Sequence, residues 1–127
     1  NIEFIKLNNS HLNLGNLGEQ KAKEYLLNKG YQILDKNWKY QKYEIDIIAI
    51  DGAELVIIEV KTRRNTLISI EKTISYSQQK RIILAADAFI KLNNIDLDVR
   101  FDLILIERSL KSYKFTHCKE IFYPTID

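Results

Sequence analysis

Two apolar runs, EIDIIAID (44–51) and ELVIIEVKTR (54–63), are separated by a turn that starts at Asp51-Gly52. An Asp-Gly step between two alternating runs is a strong hairpin signal. Strand alternation then puts Ile45, Ile47, Ala49, Ile58 and Val60 on one face, with Ile48, Ile50 and Ile57 on the other. A hairpin that is apolar on both sides must be covered on both sides. That excludes a sheet with one wet face and demands a layered sandwich of helices on a sheet.

The rest of the chain supplies the layers. From Gly15 the pattern turns helical, with Leu17, Ala22, Tyr25 and Leu26 on one stripe and Gly30 as a stop. Asn16 is a candidate N-cap, with Glu19 at the third helical position, where an acid favours the helix start. YQILDKNWKY (31–40) reads as a strand. SYSQQKRIILAADAFIKLN (75–93) reads as a helix, with Ile82, Ala85, Ala86, Phe89 and Ile90 on its apolar side. VRFDLILIE (99–107) reads as another strand, and SYKFTHCKEIFY (112–123) as one or two edge strands. The predicted order is α-β-β-β-α-β-β, in one domain spanning 1–127, with residues 1–14 as an arm or irregular lead-in.

Composition narrows the function classes. A chain of 127 residues can bury a core without covalent staples. The single cysteine, Cys118, precludes an internal disulfide and fits a reducing compartment. No apolar run approaches the ~18 residues of a membrane span, and no signal-peptide pattern opens the chain, so the expected location is the cytoplasm, away from membranes. A net charge of +2 is too small to imply a nucleic-acid partner, so any basic surface must come from clustering. No Gly-rich phosphate loop is present, which argues against a nucleotide triphosphatase. His117-Cys118 has no second pair at zinc-site spacing, and His11 is remote in sequence.

Glu44, Asp46, Glu59 and Lys61 are the anomaly, because they sit in or beside the apolar runs. A loop centred between Gly52 and Ala53 puts Asp46 opposite Glu59. A turn centred on Asp51-Gly52 puts Glu59 opposite Glu44 and diagonal to Asp46. Both registers place Asp46, Glu59 and Lys61 on one face, where opposed side chains start ~4.5–5.5 Å apart at Cβ. Two such carboxylates repel each other and lose hydration. Lys61 can neutralise one of them, and a divalent cation can bind both. Mg²⁺ suits one or two carboxylates completed by waters and phosphate oxygens. The plain alternative is a solvated sheet end with cross-strand salt bridges. Asp51 and Glu54, beside the turn, read as solvated.

Asp46 followed by Glu59-Val60-Lys61 on the next strand, after a helix, resembles the PD-(D/E)XK nuclease superfamily, although Ile45 stands where that motif has proline. The wider match, LGNLGEQKAKEYLLNKGYQILDKNW with EIDIIAIDG, LVIIEVKTR, Lys80 and its helix, and RFDLI, resembles the YraN-like family of small bacterial endonuclease-like proteins. The resemblance implies a restriction-endonuclease-like three-layer α/β core with a central mixed sheet. It implies Mg²⁺ or Mn²⁺ at Asp46, Glu59 and the backbone carbonyl of Val60, with Lys61 as the catalytic lysine. Glu19 matches the acid of the family's Gly-x-x-Gly-Glu segment, which would bring it to the same cluster, with helix capping as its other reading. The implied activity is hydrolysis of DNA phosphodiester bonds, with branched or structured DNA among the substrates. The alternative is an inactive nucleic-acid- or partner-binding module on the same scaffold. Two departures stand out: Tyr43 replaces the glycine usual before Glu-Ile-Asp, and NTLISIEKT follows VKTRR in place of an aromatic-glycine loop. Nucleases of the superfamily are often dimers, so a homodimer is a candidate assembly, with residues 2–7 as the segment that would pair across subunits.

Other residues carry weaker signals. Lys36, Lys39 and Lys42 alternate with Trp38, Tyr40 and Tyr43, which suits phosphate contact and base stacking, or a strand with a lysine edge and a packed aromatic face. Arg63, Arg64, Lys80 and Arg81 are candidates to flank a phosphate backbone, or ordinary surface charge. Gln78 and Gln79, at the start of the second helix, are candidates to reach a substrate, or exposed polar filler. Arg100 and Asp102 read as a structural ion pair.

Overall fold

The computed structural model describes residues 2–6, 14–64, 69–110 and 112–123. In chain order the elements are β1 (Ile2–Lys6), α1 (Leu14–Asn28), β2 (Gln32–Tyr40), β3 (Tyr43–Asp51) and β4 (Glu54–Arg63). They continue with α2 (Ile70–Thr73), α3 (Tyr76–Leu92), β5 (Asp98–Arg108) and β6 (Ser112–Phe122). One mixed six-stranded sheet runs β1-β6-β5-β4-β3-β2. Only β4 and β5 pair in parallel; the other neighbours are antiparallel. A parallel pair needs a long crossover, and α2 with α3 supplies it.

The two-faced hairpin is covered as its sequence requires. On one side, Ala22, Tyr25 and Leu26 of α1 pack on Ile47, Ala49, Val56 and Ile58. On the other, Ile82, Ala85, Ala86 and Phe89 of α3 pack on Ile48, Leu55, Ile57 and Leu103. Helices on both faces make the three-layer α/β fold, and β5 is buried from Arg100 to Glu107, with the apolar run Leu103–Ile106 at its centre, as a doubly covered strand is.

Several elements differ from the sequence reading. Ile2–Lys6 is a strand rather than an irregular arm, paired within the chain to β6 and forming one edge of the sheet, and β6 is an interior strand. The short α2 was not predicted. α1 begins at Leu14, so Asn16 lies inside it rather than capping it, and Glu19 falls beyond the first turn. Ile45 joins the α3-side cluster instead of the face of Ile47. On the neighbouring β2, the residue between the partners of Ile45 and Ile47 is Asn37, which adopts a left-handed φ of 50°. Beyond Asn37 the hairpin tip turns towards α3, with Trp38 edge-on to Phe89 at 5.2 Å.

Three features fix the layers around the charged hairpin. The β3–β4 loop pairs Asp51 with Glu54, which selects the register centred between Gly52 and Ala53; Gly52 supplies the left-handed φ of 61°. Gly18 lets α1 sit close to the sheet, since a Cβ there would lie 2.8 Å from Thr62 Cγ2 and 3.0 Å from Ile106 Cδ1. A buried polar chain then ties α1 to β5 and β6. Tyr25 Oη lies 3.1 Å from His117 Nδ1, and His117 Nε2 lies 2.7 Å from Asp102 Oδ2. Arg100 donates to both Asp102 oxygens at 2.9 and 3.0 Å. The Arg100–Asp102 ion pair is therefore present, and wider than its sequence suggested. Asp51 and Glu54 are not simply solvated, because each accepts from Arg100 Nη1 at 3.0 Å.

Candidate active site

The ladder between β3 and β4 is registered from Asp51–Glu54 as far as Ile47–Ile58. The next pair would be Asp46 with Glu59. At that point Asp46 turns its Oδ2 to the backbone N–H of Val60, at 2.8 Å, and the carboxylate takes over where the ladder stops. Glu59 projects to the α3 side, where Gln78 Nε2 donates to its Oε1 at 3.4 Å and Lys61 Nζ lies 3.7 Å from the same oxygen. Asp46, Glu59 and Lys61 thus come together, as both registers required.

Electrostatics show the strain of this arrangement. Burial raises the Asp46 carboxyl to about 6, against the Val60 N–H bond, with the charges of Glu19 and Glu44 adding to the rise. Burial raises Glu59 further, to about 8, helped by the charge of Asp46 and opposed by Lys61. Burial and mutual repulsion therefore set the pair against carrying two negative charges at once.

Glu19 approaches from the other layer. Gly18 seats α1 against β4 and β5, and Glu19 is near enough for its charge to act on Asp46. Its Oε1 is buried and has no hydrogen-bond partner. A helix-start role is ruled out by its place in α1. Among the described residues, however, no three acidic, histidine or cysteine side chains converge tightly enough to hold a metal ion between them.

Asp46 and Glu59 open into a cleft of about 430 Å³. Lys42, Tyr43 and Glu44 form one wall, and Gln78, Arg81 and Ile82 of α3 form the other. Of the two glutamines that sequence offered as substrate contacts or exposed filler, Gln78 reaches the cleft and Glu59. Its position in the first turn of α3, behind the N-cap Ser75, was the available signal. Gln79 turns back to the carbonyl of Ile74 at 3.1 Å.

The remaining basic candidates disperse. Arg81 and Lys42 reach the cleft. Lys39 is exposed on β2, opposite Glu44 in the ladder. Lys80 lies over the Tyr76 ring at 4.7 Å. Arg63 is mostly buried and committed inward, donating to Thr73 Oγ1 at 3.2 Å and to Glu107 Oε2 at 3.5 Å, so it does not present a free cation to a backbone. Arg64 lines a different cleft with Arg108 and Ser109. Trp38, Tyr40 and Tyr43 are half-buried against the α3-side core, with Tyr40 and Tyr43 also lining a cleft, while Lys39 and Lys42 face solvent. His117 is a buried hydrogen-bonding core residue, and His11 lies outside the described residues.

Residues 18–106 match the model of the uncharacterised protein family UPF0102. The chain belongs to that family. It is the YraN-like family of the sequence resemblance, and UPF0102 relatives extend over most of the chain. A UPF0102 protein of Bacteroides thetaiotaomicron is 44% identical over 117 residues, covering 91% of this chain and 97% of the relative. One from Parabacteroides distasonis is 40% identical over 111 residues, covering 87% and 92%. Among solved structures, the UPF0102 chain is similar to the Holliday junction resolvase Hjc of Archaeoglobus fulgidus. That likeness has 18% identity and a TM-score of 0.44, over 79% of this chain and 86% of the other. No helix among the described residues is long and apolar enough to cross a membrane.

Asp46 and Glu59, whose charged forms burial disfavours, offer the oxygen donors that a hard divalent cation takes, while Glu19, with its orphaned buried oxygen, does not converge with them into a three-carboxylate set.

Proposed function

We propose that this protein is a metal-dependent nuclease that hydrolyses DNA phosphodiester bonds. The observation that carries the reading is the Asp46–Glu59 pair: half-buried, side by side, next to Lys61, and open to one cleft with Lys42 and Arg81 on its rim. A fold gains nothing from such a pair in isolation, since burying two like charges is costly. The cost is repaid if a ligand needs both.

Asp46, Glu59 and the Val60 carbonyl would hold Mg²⁺ or Mn²⁺, with Glu19 reaching towards them from α1. When bound, such a cation supplies Lewis acidity towards a phosphate oxygen and lowers the pKa of water. Lys61 places a positive group beside Glu59, where it can support charge developing on the phosphate. Gln78 holds the Glu59 carboxyl in orientation. Lys42 and Arg81 neutralise backbone phosphates at the cleft mouth.

The test is cleavage of linear, branched, single-stranded and flapped DNA with Mg²⁺ and with Mn²⁺. Cleavage by the parent that disappears in chelator and in Lys61→Ala is expected. No cleavage of any substrate with either metal would refute the reading. One observation favours a second reading, a nucleic-acid- or partner-binding module without catalysis: no three metal-binding side chains converge among the described residues. Calorimetric titration with Mn²⁺ separates the two, since a binding module gives no heat that depends on Asp46 and Glu59.

A further inference from the structure

A second cleft, of about 330 Å³, adjoins the acidic one and shares Tyr43 with it as a common wall. Its other wall is Tyr40. Tyr40 and Tyr43 are direct cross-strand partners that close the β2–β3 turn, so their side chains lie on one face. The Tyr40 ring is held in place: it stacks on Trp38 with planes 4° apart and centroids 6.1 Å apart, and Trp38 rests edge-on against Phe89. The floor is apolar, made by Ala88 and by Leu84, which is 44% exposed. Gln41 and Asp87 supply polar groups, and Lys91 lies 2.8 Å from Asp87.

This chemistry selects a flat, uncharged heterocycle. Two phenol rings offer stacking faces, the floor is apolar, and an amide and a carboxylate can pair with donors and acceptors on a ring edge. A phosphate does not suit the cleft, because Asp87 already offsets Lys91. The cation that serves a phosphate is Lys42, which lines the acidic cleft and lies 6.0 Å from the centre of the Tyr43 ring.

We infer that the Tyr40–Tyr43 cleft binds an unpaired nucleobase, that of a nucleotide next to the phosphate that enters the neighbouring cleft beside Lys42. The inference rests on the nuclease reading of the acidic cleft and narrows its substrate class. A base within a duplex is stacked and paired, and cannot enter. Single strands, flaps and the open centres of branched DNA present such a base, and stacking on aromatic rings tolerates any sequence.

Trp38 is the only tryptophan of the chain and stacks on Tyr40, so its emission reports on the cleft. The experiment titrates the full chain, in chelator, with a short oligothymidine strand, an abasic strand of equal length and charge, and a blunt duplex. The oligothymidine strand should shift Trp38 emission and bind about five- to a hundredfold tighter than the abasic strand. Tyr43→Phe should keep that preference and Tyr43→Ala should lose it. Equal binding of the abasic and oligothymidine strands by the parent overturns the inference, and needs no variant to fold. Calorimetry with Mn²⁺ on the same protein keeps the two readings apart. Intact Mn²⁺ binding without base preference sinks the nucleobase cleft alone. Base preference without Mn²⁺ binding supports the cleft and sinks the nuclease reading.

Discussion

Glu59→Gln should make the metal-free protein more stable, and only at high pH. Burial and the neighbouring Asp46 raise the Glu59 carboxyl, so folding works against its ionisation. Below its ordinary value of 4.5 the group is protonated whether the chain is folded or not, and it costs nothing. Between 4.5 and about 8 the unfolded chain ionises while the folded one resists, so the penalty grows with pH and is complete above about 8. At about 1.4 kcal/mol per pH unit over that interval, the cost is capped near roughly 5 kcal/mol. Gln keeps the shape and a donor towards Asp46 but gives up the attraction of Lys61, so the expected gain is about 1–3 kcal/mol. Urea unfolding in chelator at pH 4, 6.5 and 9 measures it. Parent and variant should coincide at pH 4 and separate steadily to pH 9. Adding Mg²⁺ or Mn²⁺ should then stabilise the parent and leave Glu59→Gln nearly unmoved. A gain that does not depend on pH, or a variant less stable than the parent at pH 9, would refute the account of this carboxyl.

Other outcomes follow from the same geometry. Lys61→Ala should lower DNA cleavage by about 10²–10³-fold, the usual scale for removing one group that supports transition-state charge, while Mn²⁺ binding by calorimetry persists. Asp102 works in the opposite sense to Glu59. Burial pushes its carboxyl up, but hydrogen bonds from His117 and Arg100 outweigh this and hold it below its ordinary 3.8. Its contribution is therefore present above pH 4 and is lost as pH falls through the lowered value, so Asp102→Asn should flatten the acid limb of the unfolding curve. At neutral pH the same variant leaves Arg100 short of its partner and should cost about 3–5 kcal/mol in urea unfolding. Gly18→Ala forces a methyl against Thr62 and Ile106 and should cost about 1–3 kcal/mol, and it should weaken Mn²⁺ binding if Glu19 contributes to it.

Much of this was legible in the chain because hairpin physics is local. Alternation and the Asp51-Gly52 turn were enough to put Asp46, Glu59 and Lys61 together in either register, and the structure selects one of the two. What depended on distant partners was not legible. Ile45 changes faces at a point where the neighbouring strand carries a left-handed residue, Asn37, which pattern along β3 cannot reveal. Residues 2–6 gain a strand only because β6 offers them an edge. Gln78 looked like surface filler because its partner, Glu59, lies across the layer boundary. Arg63 looked free because the acid that holds it, Glu107, is on β5. His117 was set aside for want of a second zinc-like pair, whereas its partners are a tyrosine on α1 and an aspartate on β5.

Asp46 has two oxygens, and one is already spent. Because Oδ2 receives the Val60 peptide hydrogen, the side chain is both a brace for the backbone and half of the charged pair. Truncation to alanine removes both at once, and any lost activity is then ambiguous. Asparagine can keep the brace through its amide oxygen while giving up the negative charge. It is the substitution that separates architecture from chemistry at this position.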